Sequence, residues 1–205
     1  DLRYNPGGAE TAARHLSSLL APTNNVRNED ILIRKQWNPT YQRKLSSEQS
    51  VTRFDPNVLA ENLDLRRLYV LTGENTASAS EIVISGLRPY LSEMILIGSD
   101  TYGKYVGMSQ IIPPGDLQKW TFWPVTFAYF NANGEDVKGG IAATYSILEY
   151  SDFLPPFGNP ADPLLGKALE LISGNQPVIA SRSIPAPTTS WKPLKSATRH
   201  LLLSR

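Results

Sequence analysis

Two short apolar runs, one on either side of a helical pattern, constrain the possible fold of this chain most. Residues 68–71 (Leu-Tyr-Val-Leu) and 94–97 (Met-Ile-Leu-Ile) have the length and character of strands buried on both faces. Between them, residues 78–88 place apolar side chains at helical spacing, and Pro89 ends the pattern. Because a buried strand, a helix and a second buried strand form a βαβ unit, the sequence predicts an α/β fold with parallel strands.

The same alternation extends toward the N-terminus. Residues 12–20 predict a helix whose apolar positions include Leu16, and residues 31–33 and 51–54 predict short strands. Residues 1–97 therefore alternate strands and helices throughout, which favours an α/β core of parallel strands.

The second half of the chain has a different character. Residues 106–147 are β-rich with several turn signals, and the aromatic segment 120–129 is predicted as one strand. Asp162 and Pro163 are typical of the cap and first residue of a helix, which we expect to reach residue 172. We therefore expect an additional β-rich segment beside the α/β core.

Length and composition favour a single domain. A chain of 205 residues that is 41% hydrophobic can bury one sizeable core. We interpret residues 1–173 as this core and residues 174–205, rich in Pro and Ser, as an irregular extension. Asp1 begins what resembles the end of a strand, so we expect further sequence upstream, including any signal peptide, lipid anchor or accessory domain.

Charge and composition exclude several function classes. The chain has 20 basic and 19 acidic residues without blocks of like charge, so we expect neither nucleic acid nor a membrane surface as a partner. Because it has no cysteine, disulfides, thiolate nucleophiles and Cys-ligated zinc are excluded. His15 and His200 are scattered and no Asp/Glu/His cluster has ligand spacing, so we expect neither a metal nor another cofactor.

Ser78 lies in a turn of small residues directly before the predicted helix. One interpretation is structural, because residues 78–81 (Ser-Ala-Ser-Glu) fit a capping box. The other is catalytic, because small neighbours leave room for a substrate carbonyl and a helix N-terminus directs amides toward a developing anion. The local sequence leaves both interpretations open.

Lys104 follows the second buried run and Gly103. Most lysines are solvated surface charges, but burial disfavours the ammonium form, and a neutral amine can take a proton from a Ser hydroxyl. A phosphate-binding loop is excluded, because Tyr105 occupies the place of the Ser or Thr that would bind magnesium. Since neither His15 nor His200 resembles a triad base, Lys is the base available to a Ser nucleophile.

Gly7 and Gly8 occupy a turn after Asn5-Pro6. They can simply join a strand to a helix. Alternatively, a glycine amide in this turn can supply one donor of an oxyanion hole while the Ala79 amide supplies the other.

Together, the three segments resemble the signature of the C-terminal processing (tail-specific) serine proteases. Residues 1–8 match the pattern Asp-Leu-Arg-x-Asn-x-Gly-Gly, residues 78–81 match Ser-Ala-Ser-Glu, and residues 101–104 match Thr-aromatic-Gly-Lys. Each motif is short, but the ordered set is specific, and the resemblance covers roughly residues 1–172.

The resemblance implies a site and an activity. It makes Ser78 the nucleophile, Lys104 the general base, and the amides of Ala79 and Gly7 or Gly8 the oxyanion hole. It implies a crotonase-like α/β core that cleaves polypeptides near their C-termini through an acyl-enzyme. It also implies a bacterial envelope or periplasmic location and a PDZ-like module upstream of the core.

Two departures from the family pattern leave alternatives open. The family commonly has Gln four residues after the Lys, where this chain has Met108; Gln110 is the candidate substitute for orienting the amine. The later Gly-Ile-x-Pro-Asp turn is Gly-Ile-Ala-Ala-Thr at residues 140–144. The main alternative is therefore a catalytically silent relative that binds peptides or acts as a scaffold. A crotonase-like acyl-CoA enzyme is a further alternative, since it would not require both Ser78 and Lys104.

Overall fold

The computed structural model describes residues 1–149 and 155–174. Most of the predicted C-terminal extension, residues 175–205, lies outside this part of the chain. Among the described residues, no helix combines the length and the apolar character needed to cross a bilayer.

Strands and α-helices alternate as far as Gly98, and three further strands then precede the last helix. Two 3-10 turns lie at Glu48–Ser50 and Gly115–Lys119. The helices are α1 (Glu10–Leu20), α2 (Pro39–Gln42), α3 (Pro56–Leu59), α4 (Ala79–Leu87) and α5 (Pro163–Ser173). The strands are β1 (Ile31–Trp37), β2 (Val51–Arg53), β3 (Arg67–Thr72), β4 (Glu93–Gly98), β5 (Val106–Met108), β6 (Val125–Phe130) and β7 (Tyr145–Ser146).

The predicted βαβ unit is present. Strands β3 and β4 pair in parallel, with Val70 opposite Leu96, and α4 connects them. Strand β7 pairs in parallel with the other side of β4, which gives the order β3-β4-β7. The predicted α/β class is therefore confirmed.

The remaining strands form a second sheet that is antiparallel, in the order β2-β1-β6-β5. The expectation that the strands at 31–33 and 51–54 belong to a parallel core is therefore wrong. Because β1 pairs antiparallel with both β2 and β6, these strands join the β-rich part of the chain. The strand predicted over residues 120–129 begins only at Val125, because Pro124 has no N–H to continue the ladder.

Helix α4 lies at the centre of the molecule, and all nine of its residues are buried. One face of the parallel sheet, which includes Val70 and Leu96, packs in the core that α4 shares with α1 and β1. The opposite face, which includes Leu71 and Ile97, packs against α5. The alternation of strand side chains thus lets one sheet cover two hydrophobic clusters.

Helix α1 forms where it is predicted, but a different face is buried. Its buried residues are Ala13, Ser17 and Ser18, whereas Leu16 is exposed. Apolar spacing placed the helix correctly, but the contacts with α4 and α3 decided its orientation.

Helix α5 begins at the predicted cap. The carboxylate of Asp162 accepts hydrogen bonds from the amides of Leu164 (2.9 Å) and Leu165 (3.0 Å). Its second oxygen lies 2.6 Å from the guanidinium of buried Arg3, which also binds Glu149. The first motif is thereby joined to the last described helix.

Candidate active site

Ser78 and Lys104 line the same cavity, which has a volume of about 560 Å³. Ala79 at the start of α4 and Gly8 in the first motif also line it, and the antiparallel sheet forms the opposite wall. The size is within the usual range of ligand pockets. The fold thus brings residues from three distant segments to one concave site.

Ser78 has an unusual backbone conformation. Its φ of 57° and ψ of −115° lie outside the regions that residues with a Cβ normally occupy. Gly7 packs directly on this turn, and a Cβ at Gly7 would lie 2.7 Å from the Cβ of Ser78. Strained residues of this kind persist only where their surroundings determine them, and they cluster at functional sites.

One buried carboxylate connects the Ser78 turn with the Lys104 turn. Glu81, which is fully buried, accepts hydrogen bonds from the amide of Ser78 (2.8 Å) and the hydroxyl of Thr101 (2.6 Å). It also accepts from the amides of Gly103 (2.6 Å) and Lys104 (2.9 Å). The predicted capping box is present as well. A capping role does not exclude catalysis, because a hydroxyl that accepts a hydrogen bond keeps its own proton.

Tyr129 of β6 makes a second connection. Its hydroxyl lies 3.1 Å from the carbonyl oxygen of Lys104 and 3.4 Å from that of Ser78. Burial raises the pKa of Tyr129 far above its ordinary value, and the nearby charge of Glu81 raises it further. The hydroxyl therefore stays protonated and can donate to these carbonyls. We call Ser78, Glu81, the turn 101–104 and Tyr129 the hydrogen-bonded framework.

The first motif is attached to the same framework. The carbonyl of Asn5 accepts from the amide of Ala77 (3.2 Å) and from the hydroxyl of Ser80 (3.1 Å). The amide of Tyr102 donates to the carbonyl of Thr76 (2.9 Å). Because the Ser80 hydroxyl is buried and engaged in this contact, Ser78 is the serine of the motif that faces the cavity.

The sequence matches the model of peptidase family S41 over residues 1–147. The chain belongs to this family. The three motifs named from the sequence all lie within the matched region, so the predicted resemblance is confirmed.

Solved structures give similar folds. The putative S41 protease of Bacteroides fragilis NCTC 9343 is 32% identical with a TM-score of 0.72, covering 85% of this chain and 44% of that one. A lipoprotein from Streptococcus agalactiae is 13% identical with a TM-score of 0.57 (85% and 53% covered). The photosystem II D1 C-terminal processing protease is 20% identical with a TM-score of 0.47 (76% and 35% covered). The chain thus spans less than half the length of the Bacteroides relative, and no curated protein matches it significantly.

Family S41 is a family of peptidases, which counts against the acyl-CoA enzyme that the sequence left open as an alternative. Among residues 1–149 and 155–174, no group of His, Asp and Glu is arranged to hold a metal ion. Ser78 and Lys104, to which the resemblance assigned acyl transfer, both line the cavity.

The two glycines of the first motif differ. The amide of Gly7 donates to the side-chain oxygen of Asn5 (2.9 Å), so it is already engaged. The amides of Gly8 and Ala79 have no acceptor within the described part of the chain, and both residues line the cavity. Of the two glycines that the sequence left open, Gly8 is therefore the better candidate for an oxyanion donor.

The cavity also contains a second lysine that the sequence analysis missed. Lys35 of β1 forms an ion pair of 2.7 Å with Glu10 of α1, and both residues line the cavity. Lys104 has no ion-pair partner among the described residues. Because Glu10 holds the amine of Lys35, Lys104 is the lysine of the cavity that no described carboxylate engages.

The structure does not bring Gln110 to the cavity. Gln110 is exposed and lies beyond the end of β5, whereas Met108 lines the cavity. The pairing of β5 with β6 shifts in register between Gly107 and Met108. The extra residue is Thr126 of β6, so β5 itself has no inserted residue that would move Gln110 into the position of Met108. The orienting role of Gln110 thus stays a prediction.

His15 is exposed on α1 and does not line the cavity, and His200 lies outside the described residues.

Residues 140–144, which depart from the family's Gly-Ile-x-Pro-Asp pattern, pack behind the Lys104 turn. The amide of Ile141 donates to the hydroxyl of Thr101 (2.8 Å), and the amide of Thr101 donates to the carbonyl of Ile141 (3.1 Å). A Cβ at Gly103 would lie 2.5 Å from the nitrogen of Gly140. The segment therefore supports the position of Lys104 by close backbone packing.

Glu81 and Tyr129 are the supporting residues that sequence reasoning did not assign to the site. Glu81 was visible as the last residue of the capping-box motif, which is a local signal. Its contacts with Thr101 and Lys104 span 20 or more residues, and no local pattern announces them. Tyr129 gave no signal beyond its position in an aromatic strand.

Proposed function

We propose that this chain forms the catalytic core of a serine endopeptidase of the C-terminal processing type. Ser78 would be the nucleophile and Lys104 the general base of a Ser/Lys dyad. The observation that carries the proposal is that both residues line one cavity while a single carboxylate, Glu81, binds the backbone of both turns. Contacts of this kind, made by a supporting residue to the segments that carry catalytic groups, hold those groups in a productive geometry.

The reaction would begin when Ser78 Oγ attacks the scissile carbonyl carbon. Lys104 Nζ, in its neutral form, takes the hydroxyl proton as the new C–O bond forms. The carbonyl oxygen becomes an anion, and the amides of Ala79 and Gly8 donate hydrogen bonds to it. The Ala79 amide is well suited, because the first amides of a helix lack partners within the helix.

The acyl-enzyme would form when the tetrahedral intermediate collapses. The C–N bond breaks, and Lys104 gives its proton to the leaving amine. Water then attacks the acyl carbon, Lys104 accepts a proton from that water, and collapse of the second intermediate returns the proton to Ser78. The strained conformation of Ser78 supports this role, since it presents the side chain at the cavity wall.

Labelling by a fluorophosphonate probe tests the dyad in the full-length protein. We expect wild type to be labelled, and Ser78→Ala to lose labelling and peptide hydrolysis while it remains folded. Ser80→Ala is the matched control and should keep most of its labelling, because its hydroxyl serves the Asn5 contact. Labelling that survives Ser78→Ala and is lost in Ser80→Ala would overturn the assignment of the nucleophile.

A catalytically silent, peptide-binding relative is the second candidate function. Met108 favours it, because an apolar side chain lines the cavity where the family commonly has Gln. A wild-type protein that binds peptides but neither reacts with the probe nor hydrolyses any peptide would establish this alternative.

Further features remain proposals drawn from the resemblance. We propose a crotonase-like core, cleavage near substrate C-termini, a PDZ-like module upstream and a bacterial envelope or periplasmic location. Mapping cleavage sites in a substrate of known sequence tests the second of these, since cuts distributed evenly along the chain would contradict it. Fractionation of cells that make the full-length protein tests the location.

A further inference from the structure

Large exposed apolar side chains concentrate in one part of the surface. We define residues 108–125, which connect β5 with β6, as the apolar arm. Seven large apolar residues between Met108 and Val125 are 40–65% exposed, out of sixteen in the whole described chain. A concentration of this kind is unusual on a soluble surface and typically marks an interaction site.

The arm and its flanking strands are nearly uncharged. No Asp, Glu, Lys or Arg occurs in residues 105–115 or in residues 120–134. The charged residues of the arm itself are Asp116 and Lys119, both in the 3-10 turn Gly115–Lys119, so the arm offers a charged partner little to pair with away from that turn. It is complementary to an apolar segment instead.

Within the part of the chain that the structure describes, β5 pairs only with β6, so it is an edge strand there. One side of its backbone is therefore free to pair with another chain in an extended conformation. Proteins usually protect such edges with charged residues, and this edge has none. The exposed backbone and the apolar side chains together suit recognition by β-strand addition.

The arm is continuous with the candidate active site. Met108 and Trp123 line the cavity that contains Ser78 and Lys104, and they are also part of the arm. Ile111 and Phe122 pair across the hairpin further along, with backbone hydrogen bonds of 2.8 and 2.9 Å. At about 3.3 Å per residue, the path from Met108 to Ile112 accommodates roughly four residues of an extended peptide.

We propose that the apolar arm binds an extended apolar segment of the polypeptide substrate, directly beside the scissile bond. The segment adds to the edge of β5 and packs its side chains on Ile112, Trp120 and Phe122. The inference rests on the proposed function and adds a substrate class, namely chains that expose an apolar stretch of about four residues. Substrate is favoured over a permanent cover, because a permanent cover on Met108 and Trp123 would close that end of the cavity.

Peptide binding to full-length protein with the Ser78→Ala substitution tests the arm without turnover. Two fluorescent peptides share one sequence, except that four adjacent residues are Leu, Val or Phe in one and Ser or Asn in the other. Trp120→Ser and Phe122→Ser should each weaken binding of the apolar peptide about five- to twentyfold, by loss of buried apolar area. Binding of the polar peptide should change less than about twofold, since it buries little apolar area on the arm.

Phe157→Ser is the matched control, because Phe157 is 82% exposed and lies outside the arm. Equal effects of Phe122→Ser and Phe157→Ser, or equal affinity for the two peptides, would overturn the proposal. So would a dimer that Phe122→Ser dissociates without changing peptide affinity, because the occupant would then be a second copy. A large fall in melting temperature in Phe122→Ser, with peptide affinity unchanged, would also overturn it, because the arm would then pack against another part of the full-length protein.

Failure of the arm and failure of the dyad give different results. Labelling of wild-type Ser78 by the small fluorophosphonate does not require the arm. Labelling without a preference for the apolar peptide overturns the arm alone. Preferential binding without labelling or hydrolysis supports the arm and overturns the dyad.

Discussion

The hydrogen-bonded framework and the apolar arm are neighbouring regions with opposite physical character. Strand β6 belongs to the framework through Tyr129, which is 1% exposed, and the segment before it carries Phe122, which is 55% exposed. In the framework, the Glu81 carboxylate and the Tyr129 hydroxyl are buried and hydrogen-bonded to the backbone of the Ser78 and Lys104 turns. In the arm, apolar groups are exposed and lie beside an unpaired strand edge.

The difference indicates that the framework positions the candidate catalytic groups, whereas the arm is suited to bind an apolar partner. Buried polar groups are costly unless they are satisfied, so a satisfied network such as that around Glu81 has one favourable arrangement. Exposed apolar groups impose no such geometry and gain free energy from any apolar partner that covers them. Substitutions in the framework should therefore affect the chemistry, and substitutions in the arm should affect affinity.

The largest expected effect separates the two lysines of the cavity. Lys104→Ala should lower kcat/KM by about 10³-fold or more, because the general base is lost. Lys104→Arg should be nearly as inactive, since a guanidinium does not give up its proton near neutral pH. Lys35→Ala should lower kcat/KM by less than about tenfold, as for the loss of a binding contact. Steady-state kinetics on one peptide decide the matter, and the opposite ranking would make Lys35 the base.

The next effect tests Glu81, which is hydrogen-bonded to both the Ser78 turn and the Lys104 turn. Glu81→Gln keeps the shape of the side chain but replaces one acceptor oxygen with an NH₂ group that faces donors. We expect kcat to fall about 100-fold through misplacement of Ser78 and Lys104, and unfolding free energy to fall by about 2–4 kcal/mol. Glu170→Gln, which alters a surface ion pair with Lys167, is the control. Wild-type activity in Glu81→Gln would show that this carboxylate does not position the site.

A third effect concerns the attachment of the first motif to α5. Burial raises the pKa of Asp162, but hydrogen bonds from the Leu165 amide and the Arg3 guanidinium outweigh it, so the pKa lies below its ordinary value. A lowered pKa in the folded state gives stability above the ordinary pKa of about 3.9, and this stability is lost as the pH falls through the folded value. Asp162→Asn should lower unfolding free energy by about 2 kcal/mol at pH 7.

Urea unfolding at several pH values between 7 and 2 checks this prediction. The difference between wild type and Asp162→Asn should begin to shrink as the pH falls below about 4, where the carboxyl of the unfolded chain gains its proton. It should disappear once the pH lies below the folded pKa of Asp162, because both proteins then lack the charge at residue 162. A difference that does not change with pH would mean that the ion pair with Arg3 contributes nothing to stability.

A fourth effect compares the two regions directly. Tyr129→Phe removes the hydroxyl that lies near two framework carbonyls, so we expect a loss of about 1 kcal/mol in unfolding free energy and a fall in kcat of up to about tenfold. Phe122→Ser changes an exposed side chain and should alter stability by less than about 0.5 kcal/mol. Thermal unfolding and probe labelling measure both variants. A larger loss of labelling in Phe122→Ser would break the division between framework and arm.

The smallest expected effect lies where the cavity meets the arm. Gln110 is exposed outside the cavity, so Gln110→Ala should change the acylation rate by less than about threefold, as for a surface substitution. Met108→Gln places an amide in the cavity and should have the larger effect of the two. Single-turnover acylation across a pH series measures both. A loss of about tenfold or more in Gln110→Ala would establish the orienting role that the sequence predicted for this residue.

The sequence by itself determined the elements whose signals are local. The βαβ unit followed from two apolar runs and a helical pattern, and α5 followed from Asp162 and Pro163. Both depend on neighbours a few residues away, which the sequence displays directly. The three motifs were also readable, since each is a contiguous stretch and their order is a property of the chain.

Only the tertiary structure decided how these pieces meet. The pairing of β1 with β6, the burial of Ser17 in place of Leu16, and the four partners of Glu81 join residues that are distant in sequence. The exclusion of Gln110 from the cavity likewise depends on where β5 ends against β6. Such contacts arise when whole elements pack, and packing selects among faces and registers that local periodicity leaves nearly equivalent.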